Sequence, residues 1–446
     1  MGVGSNDVDE TLLENLLHWL RIPSISTGGG DPAEIERAAQ FVVDRVREAG
    51  GEGDLVRIGA GNPIAVCELR AQREDAPTVL LYGHYDVQSP EPLGDWDSPP
   101  FEPEIRDGRL YARGASDDKG NVIPVLHAAC ELARAGELPV HVRVVIEGEE
   151  EVGGASFSAW TKADTRGADC AIVFDSAMED EQTPAICLGL RGIVAALVEV
   201  RTQPRELHSG LYGGSVLNAA HVLHKAVGRL LPDDLGRVRD ELREGVADPS
   251  AAERASWAAL RPGEAVLEEV GATPLHPGAG AEYRVRNGAE PSAELNWFEA
   301  GEARTIVPAT ARAYVTVRLA PGQRSERIRE VVEGLLREQL PQGAQMTIGW
   351  HLGDPALFPP EEPAIRIAAA AIERATGMAP VFVRSGGSIP AVADLAAKGI
   401  PVIVSGFALA QDRIHAPNES YRLASLELGA RAGRELLLAL ADLPRG

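Results

Sequence analysis

The sequence holds no run approaching the roughly 18 consecutive apolar residues that a membrane-crossing helix needs, so nothing in it predicts a span. It also lacks a basic face. Lys and Arg number 43 against 66 Asp and Glu, a formal charge of -23, which removes the cationic surface that nucleic acid or an anionic membrane would use. The opening "MGVGSNDVDETLLENLLHWL" is acidic where a secretory leader is basic, and its apolar residues fall at helical spacing. A surface helix is expected there. Asn6 stands where a myristoylation signal carries Ser or Thr. Cysteine is scarce: Cys67, Cys130, Cys170 and Cys187 show neither close pairing nor zinc-finger spacing, and each sits among apolar neighbours. Buried free thiols in a reducing cytoplasm fit that pattern. No internal repeat and no low-complexity tract occurs. The expectation is a soluble, cytoplasmic protein.

What is present is apolar material, 44% of 446 residues, sufficient for substantial cores and about two domains. Through about Ser176, short apolar runs ("TVLLYGH", "VHVRVVIEGE", "CAIVFDS") alternate with helical patterns such as "NVIPVLHAACELARAG". This alternation predicts an α/β domain with a largely parallel sheet flanked by helices. From "GLRGIVAALVEVR" the pattern changes. A strand over 193–201, a helix over 215–230, strands "AELNWFEAG" and "RAYVTVRLA", a helix "SERIREVVEGLLREQL" and a strand "AQMTIGWHL" follow in the order βαββαβ. That is the order of a ferredoxin-like α+β sandwich. Residues 232–290, rich in Pro, Gly and acid, are long for a structureless connection and predict a functional or partly helical excursion. After about Asp354 the α/β pattern returns with "EEPAIRIAAAAIERATG", "VFVRS" and "PVIVSGF". The chain is therefore expected as a larger α/β domain over 1–189 and 353–446, with a smaller domain, 190–352, inserted into it.

Reactive groups in open α/β sheets collect just beyond the carboxyl ends of strands. His84 follows "TVLLYG", Glu149, Glu150 and Glu151 follow "VRVVIEG", Asp175 follows "CAIVF", and His415 lies a few residues past "PVIVSGF". Asp117 sits in "ARGASDDKGN", a loop entering a helix. Each has an ordinary explanation when taken alone: a structural histidine, a solvated acidic turn, a helix cap or a turn residue. Their joint appearance at strand ends favours a divalent metal site, since imidazole and carboxylate suit Zn, Mn or Co.

The stretches "YGHYDVQ", "RGASDDKG", "IEGEEEVGG", "VFDS", "GLRGI", "LHSGLYGGSV", "TIVP", "VRLAP", "GGSIP" and "HAPNE" run in order from Tyr82 to Glu419. In them the chain resembles the M20 family of cocatalytic metallopeptidases, and within it the branch of cytosolic nonspecific dipeptidases and carnosinases. The resemblance implies two divalent metal ions per subunit, Zn or Mn and possibly Co. It implies His84 and Asp175 on one ion, Glu151 and His415 on the other, and Asp117 bridging both. A shared carboxylate offsets part of the repulsion between two cations about 3.5–4 Å apart. The resemblance further implies Glu150 as general base, Asp86 as the carboxylate supporting the histidine or the base, and a cis peptide between Asp117 and Asp118. Glu149 departs from the family pattern, and a register shifted by one residue would exchange the roles of the acids.

Within the inserted domain, His208 taken alone reads as a surface or turn histidine, and Arg318 as a strand-edge charge. The resemblance implies that His208 crosses to the active site of a partner subunit in a homodimer and steadies the oxyanion, with Thr305 beside it. The inserted domain would then serve as lid and dimerisation module. Arg318 would clamp a substrate carboxylate bidentately, and Gly386, Gly387 and Ser388, which could be a mere turn, would offer backbone N–H groups to it. The function expected is hydrolysis of dipeptides with a free carboxyl terminus. Two alternatives stand beside it: an N-acyl-amino-acid amidohydrolase of the same family, and a noncatalytic metal-binding or interaction homologue.

Overall fold

The computed structural model describes residues 8–444, so the expectation at Asn6 lies outside the described residues. Helix α1 (Glu10–Leu20) starts at Asp9, whose carboxylate accepts from the backbone N–H of Leu12, and it turns Leu12, Leu16, Trp19 and Leu20 inward. Its apolar stripe and polar outer face match the amphipathic spacing read from the sequence. Helix α2 (Pro32–Glu48) leads to two strands that the sequence reading did not single out, β1 (Glu52–Val56) and β2 (Ile64–Leu69). Then come β3 (Thr78–His84), α3 (Lys119–Arg134), β4 (His141–Glu147), β5 (Cys170–Phe174) and β6 (Ala185–Leu190).

Next along the chain are β7 (Gly192–Arg201), α4 (Ala219–Val227), β8 (Ser292–Ala300), β9 (Thr310–Leu319), α5 (Ser325–Arg337) and β10 (Gln345–Gly353), the expected βαββαβ order. Helix α4 is shorter than the 215–230 pattern because the Asn218 side chain accepts from the N–H groups of Ala220 and His221 and starts the helix there. The 232–290 excursion is partly helical, with turns of helix at Ala251–Ala258, Gly263–Glu269 and Tyr283–Gly288. Helix α6 (Pro363–Thr376), strand β11 (Val402–Ser405) and helix α7 (Leu423–Ala439) close the chain.

Two compact units result. The first takes the described residues up to Leu188, Phe358–Phe382, and the described residues from Ile389 onward; the second takes Gly189–Leu357 and Val383–Ser388. Residues 383–388 thus join the second unit. Arg384 explains this: its guanidinium binds Glu253 through both carboxylate oxygens and donates to the Ala247 carbonyl.

In the first unit the sheet runs β1-β2-β4-β3-β5-β11-β6. The four central strands are mutually parallel, while β1, β2 and β6 add antiparallel pairings. Strands β3, β4 and β5 are buried along almost their whole length, as strands covered on both faces must be. All four cysteines are buried, and none is in a disulfide. The parallel arrangement sends the carboxyl ends of β3, β4, β5 and β11 toward one rim.

The second unit has an antiparallel sheet, β8-β9-β7-β10. Val194, Ala196, Val198 and Val200 of β7 alternate inward and share a core with Val222 and Leu223 of α4 and Ile328 and Val332 of α5. Leu197, on the opposite face, is 47% exposed.

Candidate metal centre

The parallel strands deliver their last residues to one place. His84 ends β3, and Asp175 directly follows β5. Glu150 and Glu151 sit in a short 3-10 turn after β4, and Asp117 precedes α3 by two residues. Close approach of this loop needs Gly83: a Cβ there would lie 2.1 Å from Val122 Cγ2 and 3.1 Å from Asp118 Oδ2. His415 arrives on a loop beyond β11, with its own backbone left-handed at φ 64°. The Asp117–Asp118 peptide is cis.

Asp117 stands at the centre. Its Oδ1 lies 3.0 Å from His84 Nε2, and its Oδ2 lies 2.9 Å from His415 Nε2. One carboxylate thus faces two histidines with two different oxygens. His84, Asp117 and Asp175 form one group, and Asp117, Glu151 and His415 a second; within each, the candidate ligand atoms lie within 4.8 Å of one another. His415 Nε2 is also 3.1 Å from Glu151 Oε2. The donor set is nitrogen and carboxylate oxygen, suited to Zn, Mn or Co.

Asp86 ties the first ligand to the acid turn. Its carboxylate oxygens accept from the backbone N–H groups of Glu150 and Glu151, each at 3.3 Å, and from the Ser26 hydroxyl at 2.6 Å. His84 Nδ1 lies 3.0 Å from the Asp86 carbonyl and 3.4 Å from its Oδ1. With the proton held on Nδ1, Nε2 keeps its lone pair for a cation.

Electrostatics also call for positive charge here. Burial pushes the Asp175 carboxyl well above the usual range, and the negative charge of Asp117 adds to that. Burial likewise pushes Glu150 up to about 7, with His84 opposing and Asp117, Glu151 and Asp86 reinforcing. His415, bonded to Asp117 and Glu151, is held up at about 10. The buried Oε1 of Glu151 has no hydrogen-bond partner among the described residues. An unpartnered carboxylate oxygen within a crowd of buried anions is what a cation site presents when its residues are considered without the ion. The residues fit a pair of divalent ions.

Glu149 points elsewhere. Its two oxygens accept from the backbone N–H groups of Asn62 and Ser156, so it caps the helix Ala155–Ala163 and pins a neighbouring turn. Glu150 and Glu151 are the acids of this run that face the site.

The second unit holds the remaining candidates. His208 pairs with Ile306 in a two-residue ladder, and Ser209 N–H donates to the Thr305 carbonyl, which sets Thr305 beside the histidine. His208 Nδ1 accepts from Gly210 N–H at 3.0 Å, so its proton belongs on Nε2, where it can be donated outward. Arg318 Nη1 donates to Ser388 Oγ at 3.3 Å. Arg191, of the "GLRGI" stretch, donates from Nε to the Gly386 carbonyl and from Nη1 to Ser292 Oγ. Burial, and then the charge of Arg318, lower Arg191 to about 10. Two guanidiniums therefore converge on the Gly386–Ser388 turn, a setting for an anion.

Sequence reasoning assigned no role to Arg191, Ser26, Gln88 or Glu419, although all but Ser26 lie in stretches that carry the resemblance. Gln88 Nε2 donates to Glu151 Oε2 at 2.8 Å. Glu419 accepts from the backbone N–H of Asp117 at 3.1 Å. The signal for such residues is polar character next to a ligand.

The model of Peptidase family M20/M25/M40 matches residues 80–439. The cysteinylglycine-S-conjugate dipeptidase of Corynebacterium striatum is 29% identical over 427 residues, 90% of each chain. The M20 family metallo-carboxypeptidase Sso-CP2 from Sulfolobus solfataricus superposes with a TM-score of 0.86 at 26% identity, covering 97% of this chain and 99% of that one. The di-peptidase Dug1p from Saccharomyces cerevisiae, 22% identical, superposes at 0.80 over 98% and 96% of the two chains, a likeness of fold. The family match takes in the chain from within β3 through α7, with every residue of the Asp117 cluster inside it, and the chain belongs to peptidase family M20/M25/M40.

Proposed function

We propose that the protein is a dinuclear metallopeptidase that hydrolyses dipeptides carrying a free carboxyl terminus. The observation that carries this reading is Asp117, whose two oxygens face His84 and His415 separately within two overlapping ligand groups. His84 and Asp175 would hold one ion, Glu151 and His415 the other, with Asp117 shared. Bound there, Zn, Mn or Co would polarise the scissile carbonyl and lower the pKa of water toward about 7.

The chain's own groups do the rest. Glu150, pushed up to about 7 by burial in the metal-free chain, would take a proton from that water and pass it to the leaving amine. Asp86 fixes the backbone of Glu150 and Glu151 and orients His84. His208, exposed and with Nε2 free to donate, steadies the oxyanion; the reading takes it from a second copy in a homodimer, with Thr305 beside it. Arg318, with the N–H groups of Gly386 and Gly387 and with Ser388, receives the substrate carboxylate. The dipeptidase name of the Corynebacterium striatum relative supports the substrate size. Four buried cysteines outside any disulfide support a cytoplasmic location.

The test is a substrate screen on metal-stripped protein reloaded with Zn, Mn or Co in turn. Free dipeptides should turn over, and carboxyl-amidated ones should not. Comparable turnover of both forms would overturn the carboxylate clamp. Preference for N-acylated amino acids would move the reading to an amidohydrolase, and absence of any metal-dependent turnover to a noncatalytic homologue. Likeness to the metallo-carboxypeptidase favours a second reading, stepwise removal of carboxy-terminal residues from longer peptides, which tripeptides and tetrapeptides in the same screen would reveal.

A further inference from the structure

The loop that carries His415 is built against the preferences of its own residues. Arg413, His415 and Asn418 all occupy the left-handed region, with φ of 58°, 64° and 62°, where residues other than glycine rarely sit. Three such residues within six positions do not hold themselves there. Surrounding structure must impose the conformation, and such imposed backbones concentrate where function requires them.

Two buried acids stand at the ends of this loop. Asp412, just before it, accepts from the Ser116 hydroxyl at 2.9 Å, from the Leu409 N–H at 2.8 Å, and from Arg109. Glu419, just after it, is fully buried and takes four donors: Arg113 Nη1 at 2.7 Å and the backbone N–H groups of Gly114, Ser116 and Asp117 at 3.0, 2.8 and 3.1 Å. All of the Glu419 donors, and the Ser116 hydroxyl, belong to the 113–117 loop that presents Asp117. The acids therefore join the loop carrying the shared carboxylate to the loop carrying the second histidine.

We infer that Asp412 and Glu419 form a two-point clamp whose role is to hold Asp117 and His415 in register for metal, with Glu419 as the principal positioning residue. The inference rests on the ligand set proposed above. Glu419 touches neither metal nor substrate in that scheme and acts through the Asp117 backbone. Because Asp117 serves both ions, loosening it should weaken the two together, unlike loss of a terminal ligand. Replacing Glu419 by Gln keeps its shape but turns an acceptor oxygen into an amide NH2, a donor facing N–H donors, so the loop must shift.

The experiment is calorimetric titration of Mn into the metal-stripped full chain, with thermal unfolding of the same metal-free samples. Glu419→Gln should weaken both metal-binding steps on the order of 10- to 100-fold, the range seen when groups supporting metal ligands are lost. Glu253→Gln is the control, since it removes an Arg384-paired acid from the second unit; it should lower the unfolding temperature and leave Mn affinity unchanged. If Glu419→Gln does not fold, Ser116→Ala, which deletes only the bond to Asp412, decides by the same criterion with a smaller loss. Wild-type affinity in a folded Glu419→Gln protein, or a loss that Glu253→Gln matches, overturns the clamp. Failure of the wild-type chain to take up two ions would instead overturn the ligand set, and the clamp with it.

Discussion

Adjacent residues can affect one site in different ways, and the pair Glu150 and Glu151 provides the sharpest test. Glu150→Gln should leave two metal ions bound and lower kcat by at least about 10²-fold, the usual loss with a general acid or base. Glu151→Gln should instead release metal, because its carboxylate forms a three-residue ligand group with Asp117 and His415. Metal analysis beside steady-state kinetics separates the two, and the reverse ordering would exchange their roles. Protonation gives a second prediction at this scale. The carboxylates of Asp117 and Glu151 hold His415 at about 10, so at pH 7 the metal-free ring is charged and must lose its proton to accept a cation. Metal binding should therefore release protons, and affinity should rise with pH between 7 and 10. Titration in buffers of different ionisation enthalpy reads the proton count directly; no release at pH 7 would contradict the ring's charged state. Strand-end placement made His84, Glu150, Glu151 and Asp175 legible in the sequence. Glu419 was not, because its partner, the Asp117 N–H, lies 302 residues away and no local pattern records it.

At the scale of single elements, the three consecutive acids show how secondary structure divides labour among neighbours. Strand β4 ends at Glu147, and the chain then tightens into a 3-10 turn that sends Glu149 away from its neighbours to cap the following helix. Glu149→Ala should cost about 1–2 kcal/mol of stability by removing the acceptors of the Asn62 and Ser156 N–H groups, while metal stoichiometry stays intact. Thermal unfolding and metal analysis of the one variant check both halves; loss of a metal would mean that Glu149 takes part in ligation. The sequence could not assign these acids without the family register, since strand exit geometry is not written in composition. The buried parallel strands were legible because they are continuous apolar runs. Strands β1 and β2 were not singled out: Glu52–Val56 contains Glu, Gly and Asp and lies on a partly exposed edge, where the pattern is weakest. The excursion over 232–290 was legible only as too long to be bare loop; the Arg384–Glu253 pair that anchors part of it joins residues 131 positions apart.

For the whole molecule, the division into two units raises the question of how a catalytic set becomes complete. Every candidate metal ligand belongs to the first unit, whereas His208, Thr305, Arg318 and the Gly386–Ser388 turn belong to the second. If a second copy supplies His208, each active site is made from two chains, and closed two-fold symmetry would give the assembly two equivalent sites. Complementation tests this. A His208→Ala subunit and a Glu150→Gln subunit should each be nearly inactive, the first for want of an oxyanion donor and the second for want of a base. Allowed to exchange, they should form heterodimers in which one site carries both lesions and the other carries neither. A random mixture would place half of all dimers in that class, so activity should recover to about a quarter of the wild-type level per active site, with KM restored to the wild-type value. Exchange is followed independently by mass tagging of one subunit. Demonstrated exchange without recovered activity would place His208 in the site of its own chain, and the proposed homodimer would then have no catalytic role.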